Sequence, residues 1–197
     1  MGRAFNDEEK EALRMKIVKV GIEAFKTSPY EDVKIDTLAK QVGIAKGTFY
    51  LFFKSKALLY QRCIAVFEQE IQNKFILELR VMNDPVDRLK KCLHMMVDLI
   101  QTEPLMRRIQ EDEQLKMLTK GRSEQDLSQL LSVDEQFLRM VISPELPLKV
   151  SDEMAVELVR SVFYVAMSNP PLQVNKTEYY HHLIDGIIHE IIAREVK

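Results

Sequence analysis

GIAKGTFYLFFKSK, residues 43–56, packs three phenylalanines and a tyrosine into positions 49–53 and sets lysines at 46, 54 and 56 around them. A core accepts the rings and rejects the ammonium groups, whereas a solvated face does the reverse. A short helix with two unlike sides, expected over about 45–53, satisfies both demands. Phe49 and Phe53, one turn apart, hold its inner side, while Lys46, Thr48 and Tyr50 project from the other. Gly47 removes a side chain where that outer side would meet another surface, and Lys54 reads as a solvated residue.

The flanking sequence gives this helix its company. Ile35, Leu38, Ala39 and Val42 mark a short helix before it, closed by Gly43 at the place of a left-handed turn residue, with Ile44 plugging the turn. A first helix is expected from Asp7 to Lys26, with acids at 7–9 facing its positive end and the stretch TSPY, residues 27–30, as its stop. A long fourth helix begins near Ser55, a capping residue, and runs to about Val81. Two short helices joined by a glycine turn, the second carrying basic and hydroxyl groups at its start, form the arrangement that lays a recognition helix in a DNA major groove. Lys56, at the start of the fourth helix, is placed to grip a phosphate together with free backbone N–H groups. Tyr50 reads as a phosphate donor or a packing ring, and Thr48 as a base or phosphate contact or a support of the first turn.

Charge follows the same division. The whole chain of 197 residues carries −2, yet residues 1–56 hold 11 Lys/Arg against 8 Asp/Glu, a surplus of three, and the remainder is acidic by five. Between Val33 and Lys56 there are five lysines and one acid, Asp36. The positive field is confined to the segment that carries the two-sided helix.

IDTLAKQVGIAKGTFYLFFKSKALL, residues 35–59, resembles the N-terminal DNA-binding domain of the TetR family of transcriptional repressors. The likeness runs from about Ile17 to Leu59, through Phe25, Tyr30, Leu38, Ala39 and the G-x-x-K-G-T-x-Y-x-x-F-x-x-K frame that starts at Gly43. It implies an all-α homodimer whose C-terminal domain binds a small molecule and releases the protein from a palindromic operator, with Lys34, Thr37, Lys46, Gly47, Thr48, Tyr50 and Lys56 facing double-stranded DNA. It divides the chain into residues 1–56, with the helix-turn-helix at about 34–53, and a ligand-binding and dimerisation domain over 57–197, of which 57–82 is a connecting helix. The chain departs from the family pattern at Ala45, which lacks the usual cap hydroxyl, at Lys34 and Asp36, and at Leu51 and Phe52, where polar residues are common. Its base preference is therefore not read from relatives.

After the stop-and-start signal NDP, residues 83–85, further helices are expected near 85–102, 104–118, 123–142, 151–168 and 176–195, about nine in all. Eight of the ten methionines lie at or beyond Met82. Met95, Met96, Leu99, Met106, Met117, Phe137, Met140, Phe163 and Met167 are candidates to line an apolar effector pocket, against the alternative that they simply fill the core. Glu111, Asp112 and Glu113 are either a selector for a cationic ligand or an exposed charged face. Leu158, Val162, Leu183, Ile184, Ile187, Ile188 and Ile191 form a stripe wider than one hairpin covers, which suggests a four-helix bundle between two copies.

His181, Asp185 and His189 step by four along one helix, too widely spread for a compact metal shell, and read as a polar flank with i, i+4 pairs; His94 stands by itself. No metal or cofactor is expected. Cys63 and Cys92, without CxxC spacing, read as reduced thiols of a cytoplasmic protein, and neither a signal core nor a membrane span is expected. The sequence has no GxSxG elbow, phosphate loop, HExxH or dinucleotide glycine pattern, so a regulator is favoured over an enzyme. A helical enzyme, and an interaction module that does not bind DNA, stand as the alternatives.

Overall fold

The computed structural model describes residues 6–111, 142, 145–168 and 170–193. Among them are eight α-helices, no strand, and one isolated antiparallel bridge between Leu148 and Ile192. The helices are α1 (Asp7–Thr27), α2 (Ile35–Val42), α3 (Lys46–Phe52), α4 (Lys56–Leu79), α5 (Pro85–Thr102), α6 (Pro104–Glu111), α7 (Asp152–Ser168) and α8 (Lys176–Ile191), with a single 3-10 turn at Tyr30–Asp32. By contacts the chain divides into two units, and the division falls inside α4, between Ile71 and Gln72.

In the first unit, α1 starts on a capping box. Asn6 Oδ1 accepts from the Glu9 N–H at 2.7 Å, and the Glu9 carboxylate accepts from the Asn6 N–H at 2.9 Å. Helix α2 packs on α1 through Leu38, Ala39 and Val42, and α3 packs on α2. Between them Gly43 takes φ 85°, and its N–H and that of Ile44 return to the Ala39 carbonyl at 3.0 and 2.9 Å. Only the left-handed region places both N–H groups on that carbonyl, which is why a residue without Cβ stands there. Ile17, Val18, Phe25, Leu38, Phe49, Leu59, Tyr60 and Cys63 are all buried and form the common core. Phe25 stacks on Tyr30 at 5.9 Å and meets the Tyr60 ring edge-on at 5.0 Å.

In the second unit, Asp84 caps α5 by accepting from the Val86 and Asp87 N–H groups at 2.8 and 2.9 Å, and Pro85 fills the first helical position. Helices α5, α7 and α8 pack pairwise. The end of α8 is pinned by hydrogen bonds from the Lys149 N–H to the Ile191 carbonyl and from the Ala193 N–H to the Pro147 carbonyl. The helix expected at 123–142, except Ile142, which is a buried bend, and the end of the one expected at 104–118 lie outside the described residues.

The α8 stripe is divided differently from the expectation. Val162, Ile184 and Ile191 have no exposed surface and Ile187 only 8%, so these four are buried within the chain itself, without a second copy. Leu158, Leu183 and Ile188 stay half-exposed, and the large apolar side chains left open on α7 are Met154 and Tyr164. The physical reason is α5: with a third helix against them, α7 and α8 bury most of the stripe internally.

His94 of α5 does not stand by itself, since its ring meets that of His181 on α8 edge-on at 4.7 Å. Asp185 pairs with Lys90 of α5 at 2.5 Å rather than with a histidine of its own helix. Burial, then the neighbouring His181 and Lys90, hold His94 below the ordinary imidazole value, against Asp185 and Asp98. Both cysteines are buried free thiols pushed up to about 12 by desolvation. No helix among the described residues is long and apolar enough to cross a membrane.

Candidate nucleic-acid interface

The two-sided character of residues 43–56 is present in the structure. Phe49 is fully buried and Phe53 nearly so, their centroids 6.0 Å apart, and they fix α3 to the unit from behind. Lys46, Gly47, Tyr50 and Leu51 face out, with Thr48 and Phe52 half-covered. Tyr50, 38% exposed, leans edge-on against Phe49, so its ring packs at the base while its outer part stays open. The Arg14 guanidinium lies 5.9 Å from the Phe52 ring centre and 5.7 Å from that of Phe53, which accounts for an aromatic residue at position 52. Helix α3 begins on Ala45 without a side-chain cap.

Gly47 is the position that interior packing does not explain. A Cβ built there meets nothing within 4 Å, and the residue is the second of α3, where glycine gives up more backbone freedom on folding than alanine would. Nothing within the first unit therefore calls for the missing side chain.

The lysines are more engaged than their spacing suggests. Lys46 Nζ lies 2.8 Å from Asp36 Oδ2 across the turn, and that hydrogen bond and charge raise the Lys46 pKa. Both side chains remain more than half exposed, so water and salt keep the pair weak and a phosphate can compete for the ammonium. Lys34 Nζ donates to the Glu31 carbonyl at 2.9 Å. Lys34 and the exposed Thr37 line an open groove of about 500 Å³ between α1 and α2, together with Lys19 and Glu23.

Lys56 departs furthest from the expectation of a phosphate grip. Its ammonium donates to the Tyr30 and Val33 carbonyls at 2.5 and 3.0 Å, with Glu31 at 3.4 Å, and sits 4.2 Å from the Tyr30 ring centre. Burial, then the charge of Lys34, lower its pKa against Glu31 and Asp32. The side chain is a staple from the start of α4 to the segment that feeds α2, because orphan carbonyls of the 3-10 turn attract the cation inward. Ser55 takes the expected cap, accepting from the Leu58 N–H at 3.2 Å. The spacing also gave no sign of Lys16, whose Nζ donates to the Val42 carbonyl at 2.8 Å and satisfies the end of α2.

Of the candidates for an effector pocket, Met95 is buried on α5, Met96 and Leu99 are half-buried beside it, Met106 lies on α6, and Phe163 and Met167 lie on α7. Met117, Phe137, Met140, Asp112 and Glu113 lie outside the described residues, and Glu111 is exposed. Tyr180 of α8, which is not among these candidates, is 1% exposed, yet its hydroxyl has no hydrogen-bond partner among the described residues.

Comparison with known proteins agrees with this geometry. Residues 17–63 match the family model of the bacterial regulatory proteins of the tetR family, a span that holds the end of α1, the whole helix-turn-helix and the start of α4. Among curated proteins, the nucleoid occlusion factor SlmA of Vibrio campbellii is 27% identical over 105 residues, 53% of each chain, so the chain spans about half the length of the curated relatives it matches. A tetR-family regulator from Mesorhizobium loti superposes with a TM-score of 0.65 over 93% of this chain and 98% of its own, at 14% identity. The regulator FadR of Bacillus subtilis, solved in complex with stearoyl-CoA, superposes with a TM-score of 0.58 over 90% and 98%, at 16% identity. Residues 17–63 thus carry the N-terminal domain of the tetR family of bacterial regulatory proteins, and the chain shares the all-α fold of solved structures from that family.

Proposed function

We propose that this protein is a ligand-responsive regulator of transcription, acting in the cytoplasm as a repressor rather than as an enzyme, and that α3 is its recognition helix. The observation that carries this reading is the outer ridge of α3: Lys46, Gly47, Tyr50 and Leu51 lie open on a seven-residue helix whose inner side is locked by Phe49 and Phe53. An exposed ridge on a rigid base, with a glycine that no neighbour requires, suits close approach to a duplex. Lys34, Thr37 and Lys46 serve phosphates at its margins, and Lys56 supports them by holding the 30–33 segment in place. The DNA-binding domain is taken as residues 1–56 and the ligand-binding and dimerisation domain as 57–197, with 57–82 connecting.

The operator is taken to be palindromic because two copies present two ridges. Half-exposed Leu158 and Leu183, with Met154 and Tyr164, supply apolar surface on α7 and α8 for a two-fold contact. The effector is taken to be a small, largely apolar molecule bound among α5, α6 and α7. The likeness in fold to FadR, which holds stearoyl-CoA, supports an apolar ligand class. The Tyr180 hydroxyl of α8, which has no hydrogen-bond partner among the described residues, supplies a polar handle for such a site, because a buried hydroxyl without a partner costs about 1–3 kcal/mol and a ligand atom relieves it.

The test is selection of random duplexes by the purified protein at low salt. Enrichment of a palindrome supports the regulator. A second reading, an interaction module that does not bind DNA, has one observation in its favour, namely that Lys46 and Lys56 already have partners within the chain. Failure to enrich any duplex at low salt would favour it.

A further inference from the structure

We propose that Leu51 is a specificity-determining residue that reads the 5-methyl group of thymine, an inference that rests on α3 being the recognition helix. Leu51 is 74% exposed, the most open of the large apolar side chains in the described residues, and it stands on the ridge itself. Gly47 lies one turn before it on the same strip of α3 and adds no side chain, so the strip from 47 to 51 is an apolar shelf one helical turn long. Beside it Lys46 and Asp36 close on each other at 2.8 Å and present no net charge. Phe52, the next residue, is turned toward Arg14 and half-covered.

Such a shelf has little to offer a hydrogen-bonding base edge. Guanine, cytosine and adenine show only donors and acceptors in the major groove, and each would be desolvated against a leucine without return. Thymine alone carries an apolar group on that edge, its C5-methyl. A methyl buried against Leu51 in each half-site removes apolar surface from both partners, and burial of one such group corresponds to about a four-fold change in affinity. The chain thus substitutes an apolar contact for the polar reading that residues of this helix commonly make.

The experiment starts from the palindrome enriched by the wild-type protein and replaces each thymine in turn by deoxyuridine, which removes the methyl and keeps every hydrogen-bonding group. At one symmetric pair of thymines the wild type should lose about four-fold in affinity for each half-site. Leu51→Ala, whose site is too exposed to threaten folding, should bind the thymine and deoxyuridine duplexes equally, and Leu51→Met should keep the difference. Two results overturn the assignment while leaving DNA binding intact: no thymine shows a deoxyuridine penalty, or Leu51→Ala shows the same penalty as the wild type. If no duplex is enriched at all, the reading of α3 falls and this assignment falls with it.

Discussion

Replacing Gly47 by alanine separates what α3 needs for folding from what it needs for an external partner. The added Cβ meets nothing within 4 Å, so the substitution introduces no clash inside the first unit. It removes the conformational freedom that glycine brings to the unfolded chain, a gain of about 0.5–1 kcal/mol. For a chain of this length that gain corresponds to a rise in Tm of about 1–4 °C. If a duplex lies against the ridge, the same methyl holds α3 away from base edges and phosphates. Loss of one such contact costs about 1–3 kcal/mol, a weakening of about 5- to 150-fold. The assay pairs thermal unfolding with equilibrium binding of the enriched duplex by fluorescence anisotropy at fixed salt. Expected is a variant that is more stable and binds DNA less tightly. A variant that is more stable and binds as tightly as the wild type would refute the claim that α3 makes a close approach there.

Lys56→Met should lower stability by about 1–2 kcal/mol, since the Tyr30 and Val33 carbonyls lose a charged donor at a partly exposed site, while leaving the salt dependence of DNA binding unchanged; an unaltered Tm with a flatter salt slope would return Lys56 to the phosphates. Asp36→Asn frees Lys46 from its 2.8 Å partner and removes a carboxylate beside the ridge, so DNA should bind more tightly at low salt, with the gain fading as salt rises; unchanged affinity at low salt would take Lys46 away from the phosphates. Tyr180→Phe removes a buried hydroxyl that has no partner among the described residues, so the ligand-free protein should be as stable as the wild type or more so, and its response to effector should weaken; a destabilised variant would reveal a hydrogen bond from that hydroxyl. Leu183→Asp places a charge on the half-exposed flank of α8 and should shift sedimentation from dimer to monomer with a parallel loss of operator affinity, whereas an unchanged dimer would move the contact elsewhere.

How much of this was legible in the sequence depended on whether the signal was local. Gly43 announced its left-handed turn because no other residue adopts φ 85° as cheaply, and the buried pair Phe49 and Phe53 followed from helical spacing. The start of α5 at Asp84-Pro85 was readable for the same reason. The Asn6–Glu9 box stands in the same residues as a capping pattern, overlapping the acids at 7–9 that suit the helix dipole. Lys16 and Lys56 were not readable, because each bonds carbonyls 26 residues away and periodicity holds no record of backbone groups left over by a turn. The α8 stripe misled for a related reason. An apolar stripe states that a surface is covered without naming what covers it, and Ile184 and Ile191 proved to be covered within their own subunit, where α8 packs on α5 and α7.

The most direct test of the central claim is amide hydrogen exchange of the full chain, alone and with the enriched duplex in excess. If α3 is the recognition helix, DNA should slow exchange from Ala45 to Phe52 and at the start of α2 around Lys34 to Thr37. Exchange in these segments unchanged by saturating duplex, with protection appearing instead on α7 and α8, would contradict it.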